Sequence, residues 1–114
     1  ESAMFASAKK LNNLFVIIDQ NGWQGIGKTD EILNIRLLKE KWKSFGWNCF
    51  EINGHNYNQI EKAFKNKKNN KPTAIIAKTI KGKGISFMED DNNWHYRIPT
   101  KEEVELSKKE LSNK

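Results

Sequence analysis

Leu14-Phe15-Val16-Ile17-Ile18 is five apolar residues without a break. A run of that length and type reads as a strand buried on both faces of a parallel sheet. Ahead of it, Met4, Ala8 and Leu11 recur at helical spacing, which predicts the apolar face of a helix already under way at Glu1 and stopped by Asn12-Asn13. Behind it, residues 19–31 form a loop punctuated by Gly22, Gly25 and Gly27. From Asn34 onward, Ile35, Leu38, Trp42 and Phe45 step by three or four residues and predict a second helix ending at Gly46. A strand over residues 47–52 follows, then a turn at Asn53-Gly54. Asn56 with Gln59 makes a capping pair for a third helix whose buried face is read as Tyr57, Ile60 and Phe64.

Pro72 introduces the last strand, Thr73-Ala74-Ile75-Ile76-Ala77. Residues 81–99 are then irregular, longer than the ~12–15 residues at which structureless loops become uncommon, and loops of that length usually serve a site. Thr100 and Glu103 form a capping box behind Pro99 and open a final, weakly amphipathic helix to about Leu111. Helix and strand alternate throughout. The expected class is α/β, a mostly parallel sheet with helices on both faces and right-handed crossovers.

Composition narrows the function classes. Four Trp, six Phe and 37% hydrophobic residues support a packed core, while 30% charged residues give a very polar surface. No apolar run approaches the roughly 18 residues of a membrane span, and no basic flank followed by an apolar stretch marks a leader. The single cysteine, Cys49, permits no intrachain disulfide and sits among apolar neighbours as a small buried hydrophobe. A soluble, cytoplasmic protein is expected. The net charge of +6 is carried almost wholly by lysines interleaved with glutamates on predicted helix faces and by the Lys/Asn-rich run 65–71. With only Arg36 and Arg97 as arginines and no aromatic platform, nucleic-acid binding is not expected.

In open α/β sheets, ligands bind beyond the carboxyl ends of the strands. Two segments fall there: Asp19-Gln20-Asn21-Gly22-Trp23-Gln24-Gly25-Ile26-Gly27, and the stretch from Lys81-Gly82-Lys83-Gly84 to Trp94-His95. Glycine-rich loops alone say little, since tight turns need glycine anyway.

The ordered set is more specific. Met4-Phe5-Ala6, Asn13-Leu14, Asp19-x-Asn21, Gln24, Gly27-x-Thr29-Asp30-Glu31, Trp42-x-x-Phe45-Gly46-Trp47 and Asn53-Gly54-His55 are followed by Lys71-Pro72-Thr73, Lys78-Thr79-x-Lys81-Gly82-Lys83-Gly84, Ser86-Phe87-Met88-Glu89 and Trp94-His95. Together they resemble the later part of the thiamine-diphosphate-binding N-terminal subunit or domain of transketolases, over essentially the whole chain. That resemblance implies thiamine diphosphate anchored through Mg²⁺. Its motif opens with Gly-Asp-Gly, whose Asp binds the metal, and closes with an Asn side-chain oxygen and a backbone carbonyl two positions on. Asn21 and the carbonyl of Trp23, flanking Gly22, match the closing half. His95 matches a histidine that reaches the cofactor's diphosphate and the reacting part of the sugar. Read alone, it is a surface-loop histidine; the resemblance makes it the catalytic candidate, imidazole being the side chain best suited to proton transfer on hydroxyls near neutrality.

The Gly-Asp-Gly half is absent from residues 1–114, as is the pyrimidine-binding part with its activating glutamate. The resemblance therefore implies a split-subunit enzyme of which this is the C-terminal part of the diphosphate-side domain, inactive alone. It implies a sugar or sugar-phosphate substrate, a C-terminal transketolase subunit or domain as partner, and a homo- or hetero-oligomer. The implied reaction moves a two-carbon ketol unit from a ketose to an aldose. A deoxyxylulose-phosphate-synthase-like enzyme and a non-catalytic packing module are the alternatives. Gly25-Ile26-Gly27, where central-pathway members commonly carry Asp-Gly, points to a specialised sugar. His55, beside a turn and a cap, is read as a local hydrogen-bonding residue, Lys81 and Lys83 as solvated lysines, and Trp23 and Trp94 as packing residues.

Overall fold

The β-branched and apolar runs form strands, and the capped, amphipathic segments form helices. The computed structural model describes residues 1–66 and 70–112. In chain order these give α1 (Ser2–Ala8), β1 (Phe15–Gln20), β2 (Trp23–Gln24), β3 (Gly27–Lys28), α2 (Thr29–Ile32), α3 (Leu38–Ser44), β4 (Asn48–Asn53), α4 (Tyr57–Lys65) and β5 (Thr73–Lys78). A 3-10 helix (Asn92–His95) and α5 (Lys101–Ser112) complete the chain. It divides into two units, Glu1–Gln20 with Ile35–Thr79, and Asn21–Asn34 with Ile80–Lys114.

The first unit is built on a three-stranded parallel sheet of order β1-β5-β4, with Phe15 and Asn48 both in register with Thr73. β5 is central, so residues 73–77 are buried throughout, with Ile75 and Ile76 each only 1% exposed. Alternation divides the core. On one face Ala74, Ile76, Cys49, Val16 and Ile18 meet Ala6 of α1, Leu38 and Trp42 of α3, and Trp47. On the other, Ile75, Ala77, Phe50, Ile52 and Phe15 meet Ile60 and Ala63 of α4. Helices thus cover both faces, as the α/β class requires.

Several details depart from the sequence reading. β1 pairs with β5 alone among the described strands, and Ile17 is 59% exposed, so the 14–18 run is not buried on both faces here. α1 ends at Ala8, and its buried residue is Ala6, supported by Ala3, whereas Met4 within it and Leu11 beyond it lie exposed. Small side chains let this short helix approach the sheet, and the Trp47 indole donates to the Ala3 carbonyl at 2.8 Å. α3 begins only at Leu38, after Leu37 in the left-handed region, which leaves Ile35 and Phe45 outside it. Gly46 at φ +86 ends it, as a glycine after a helix commonly does. Tyr57 is 88% exposed, and Ala63 takes the buried place on α4. The Asn56 cap is present, accepting from the Gln59 N–H, while the Gln59 side chain accepts from Asn53 N–H instead of closing the box on Asn56. Part of the 65–71 run lies outside the described residues.

The second unit holds elements that periodicity does not announce: the antiparallel hairpin β2–β3, the single-turn α2, and the 3-10 helix. The 81–99 segment is a chain of turns. Its Glu89 carboxylate accepts from the Gly84 N–H at 3.0 Å and pairs with Lys83 at 3.2 Å. Ser86 is tied to Glu110 of α5 through both its N–H and its hydroxyl, each at 2.6 Å. The Thr100–Glu103 box closes in both directions, at 2.8 and 3.2 Å. No helix among the described residues is long and apolar enough to cross a membrane.

Candidate functional site

The predicted metal and cofactor residues open the second unit. Asn21 folds back on its own chain, its Oδ1 accepting from the Trp23 N–H at 2.9 Å. Such an Asx turn fixes the asparagine side chain locally, without help from a distant element. Gly22 occupies the middle of the turn at φ +80, which a side chain would strain, and its carbonyl accepts from Thr29 N–H at 2.9 Å. The chain then enters β2, pairs Trp23 with Lys28 and Gln24 with Gly27, and reverses at Gly25-Ile26.

Residues more than 60 positions away in the chain hold this hairpin. The Trp23 indole N–H donates to Asp90 Oδ1 at 2.6 Å, and the same carboxylate receives Lys28 Nζ at 3.1 and 3.2 Å. Lys28 Nζ also lies 3.6 Å from the Trp23 ring centroid, a close cation–π contact. The indole hydrogen bond, and after it the Lys28 ammonium, hold the Asp90 carboxyl below the usual aspartate range. Asn92 Nδ2 donates to the carbonyls of Gln24 and Gly25, both at 3.2 Å, and its Oδ1 is left buried without a protein partner.

His95 ends the 3-10 helix, which is capped by Asp91 accepting from Asn93 N–H at 2.9 Å. The imidazole is exposed, with the Tyr96 ring edge-on at 4.7 Å. It faces the hairpin turn: a methyl group placed on Gly25 would come 3.3 Å from His95 Nε2 and 3.1 Å from Tyr96 Oη. Neither Gly25 nor Ile26 takes a left-handed φ, so close approach, not backbone conformation, is what calls for glycine at 25. A cleft of about 620 Å³ opens here, lined by Gly25, Ile26, Asn92, Asn93, Tyr96 and Arg97. Arg97 stacks on Trp94, 4.4 Å from its ring, and pairs with Glu103.

The residues of the turn fit part of a Mg²⁺–thiamine diphosphate site. A hard divalent cation takes oxygen ligands and keeps several waters or phosphate oxygens, so it needs few protein groups. Asn21 Oδ1 spends one lone pair on the Trp23 N–H and keeps the other. The Trp23 carbonyl belongs to the same three-residue turn. Both donors are neutral, and among the described residues no cluster of three or more His, Cys, Asp or Glu side chains supplies further charge.

The remaining candidates sort clearly. Cys49 is 7% exposed in the sheet core, and burial pushes its thiol up, away from a reactive thiolate. The His55 N–H donates to Asn53 Oδ1 at 2.9 Å, in the turn before α4. Lys83 is paired with Glu89, while the Lys81 carbonyl accepts from Asp90 N–H at 2.9 Å. Trp94 packs on Phe87 and donates to its carbonyl at 2.9 Å. Asp90, Asn92 and Lys28 were outside the sequence reading; for Asp90 and Asn92 the signal was the length of the 81–99 loop, which says that a site is served but not by which residues, and for Lys28 there was none.

The family described as the transketolase thiamine diphosphate binding domain matches residues 1–114. An apulose-4-phosphate transketolase component from Phocaeicola vulgatus is 38% identical over 116 residues, taking in 100% of this chain and 41% of that protein. The 6-deoxy-6-sulfo-D-fructose transketolase subunit SqwG of a Clostridium species is 43% identical over 91 residues, 78% of this chain and 33% of that one. The crystal structure of transketolase from Campylobacter jejuni superposes with a TM-score of 0.88 at 30% identity, covering 97% of this chain and 18% of that one. The chain spans less than half the length of each of these relatives. With its whole length matched by that family and its fold shared with a solved transketolase, the chain belongs to the transketolase thiamine-diphosphate-binding-domain family.

Proposed function

We propose that this chain is the later part of the diphosphate-side domain of a transketolase, and that it acts with a partner subunit or domain carrying the pyrimidine-binding site. The observation that carries the reading is the Asn21–Trp23 turn, which presents two oxygen donors within three residues on a unit that also brings His95 against the hairpin. Asn21 Oδ1 and the Trp23 carbonyl would hold Mg²⁺, Gly22 leaves room beside them, and the metal in turn would hold the diphosphate. Bound thiamine diphosphate supplies a carbanion-type nucleophile for making and breaking carbon–carbon bonds. The reaction breaks the C2–C3 bond of a ketose and joins its two-carbon ketol unit to the carbonyl carbon of an aldose. His95 carries protons: it takes one from the hydroxyl that becomes a carbonyl and returns one to the carbonyl oxygen that becomes a hydroxyl.

With two neutral donors and no carboxylate contributed from the turn, residues 1–114 by themselves hold the metal weakly. The two relatives named for their substrates act, by those names, on a sugar phosphate and a sulfonated sugar. A ketose with an anionic end is therefore the proposed substrate class. The test is a transfer assay with the complete protein plus its partner, using a ketose phosphate donor and an aldose phosphate acceptor. The expected product is the acceptor lengthened by two carbons, formed only with both thiamine diphosphate and Mg²⁺. Transfer from pyruvate with loss of CO₂, or no transfer under either condition, would overturn it.

A further inference from the structure

The Trp23 side chain is held from two directions, by Asp90 at the indole N–H and by Lys28 over the ring, and Lys28 and Asp90 are themselves paired. These three groups close a ring of contacts around a residue whose backbone is half of the Asn21–Trp23 turn. Asp90 takes φ +56, a left-handed conformation uncommon for a residue other than glycine, and its own N–H is tied to the Lys81 carbonyl. Two residues on, Asn92 binds the carbonyls of Gln24 and Gly25 at the hairpin's reversal. The hairpin is thus gripped at its first residue and at its tip by one short piece of the long loop, and that piece runs directly into the 3-10 helix bearing His95.

We infer that Asp90, with Lys28 and Asn92, is a positioning device: it locks the Asn21–Trp23 turn and fixes its distance to His95, so that metal donors and proton carrier are set as one piece. The role rests on the proposed use of that turn as the metal anchor. Asp90 acts through the Trp23 indole. Groups that orient metal ligands from behind typically change metal affinity by about 10–100-fold when removed.

The experiment uses the complete enzyme with its partner and four variants. Asp90→Gly removes the carboxylate without straining the left-handed backbone, Asp90→Asn keeps an acceptor for the indole but loses the ion pair, Trp23→Phe removes the indole donor, and Asn21→Ala tests the anchor itself. In Asp90→Gly and Trp23→Phe, amide hydrogen exchange at the Trp23 and Thr29 N–H groups is expected to accelerate about 10-fold, while β5 amides keep their protection. The apparent Kd for Mg²⁺–thiamine diphosphate should rise about 10-fold. Asp90→Asn should fall between. Unchanged exchange at Trp23 and Thr29 in Asp90→Gly overturns the inference whatever the cofactor does. Faster exchange there, with Asn21→Ala leaving the Kd unchanged, would keep the clamp and remove the turn from the metal site.

Discussion

Gly25→Ala separates the site from the scaffold. The added methyl would stand 3.1 Å from Tyr96 Oη and 3.3 Å from His95 Nε2, so both side chains must retreat by about 0.3 Å or less to reach ordinary contact at 3.4 Å. Both are exposed tips and have room to move. Since Gly25 does not use a left-handed φ, alanine also narrows the unfolded ensemble, a gain of about 0.4–1 kcal/mol that offsets the tight contact. Net stability should stay within about 1 kcal/mol of the parent, a shift in Tm of no more than about 4 °C for a chain of this size. The imidazole nonetheless moves. If a 1 Å misplacement costs about 10²-fold, the roughly 0.1 Å asked of the imidazole, from 3.3 to 3.4 Å, scales to a loss of less than about twofold in turnover. Thermal unfolding, the His95 imidazole resonances and steady-state kinetics on the complete enzyme check the three parts. A fall in Tm of 10 °C, or unmoved His95 resonances, would refute the packing argument. A loss of turnover of about tenfold or more with a near-parent Tm would show that the reaction depends on the position of His95 more steeply than this scaling.

Ile76→Ala removes a 1%-exposed side chain from the central strand and should destabilise the chain by about 3 kcal/mol, measured by urea unfolding; a loss under 1 kcal/mol would mean the site collapses around the gap. Because the Trp23 indole hydrogen bond and the Lys28 ammonium hold the Asp90 carboxyl below the ordinary aspartate range, its clamp is intact at neutral pH and opens only as pH falls through that lowered range. The Trp23 indole proton should follow this by NMR, and a transition above pH 5 would contradict it. With Ile17 59% exposed on β1, the isolated chain should self-associate with concentration, and Ile17→Lys should suppress this in sedimentation; a parent that stays monomeric would count against it.

What the sequence made legible was whatever rests on local pattern. β4, β5, the Asn56 cap and the Thr100–Glu103 box follow from residues within a few positions of one another. An apolar run, by contrast, does not say which strand will be central: 14–18 and 73–77 look alike, yet Ile17 is exposed while every residue of 73–77 is buried. Stripe spacing likewise overcounted Phe45, which lies past the end of α3 at Ser44, and Tyr57, which stands exposed at the first position of α4. At the site, Asn21, Trp23 and His95 were reached through the family resemblance. Asp90 and Asn92 were not, because two-residue strands have no periodicity and the bonds that hold them join residues 67 or 68 apart. Such contacts exist only once the long loop has folded back.

The Asn21–Trp23 turn, as the anchor for the metal of a thiamine-diphosphate site, is tested most directly by a crystal structure of the complete enzyme with thiamine diphosphate and Mn²⁺ in place of Mg²⁺, locating the metal by its anomalous signal. The expected result is a metal peak about 2.0–2.2 Å from both Asn21 Oδ1 and the Trp23 carbonyl oxygen, with the diphosphate completing the shell. A metal bound to the cofactor but beyond about 4 Å from both oxygens, outside any coordination distance, would contradict it.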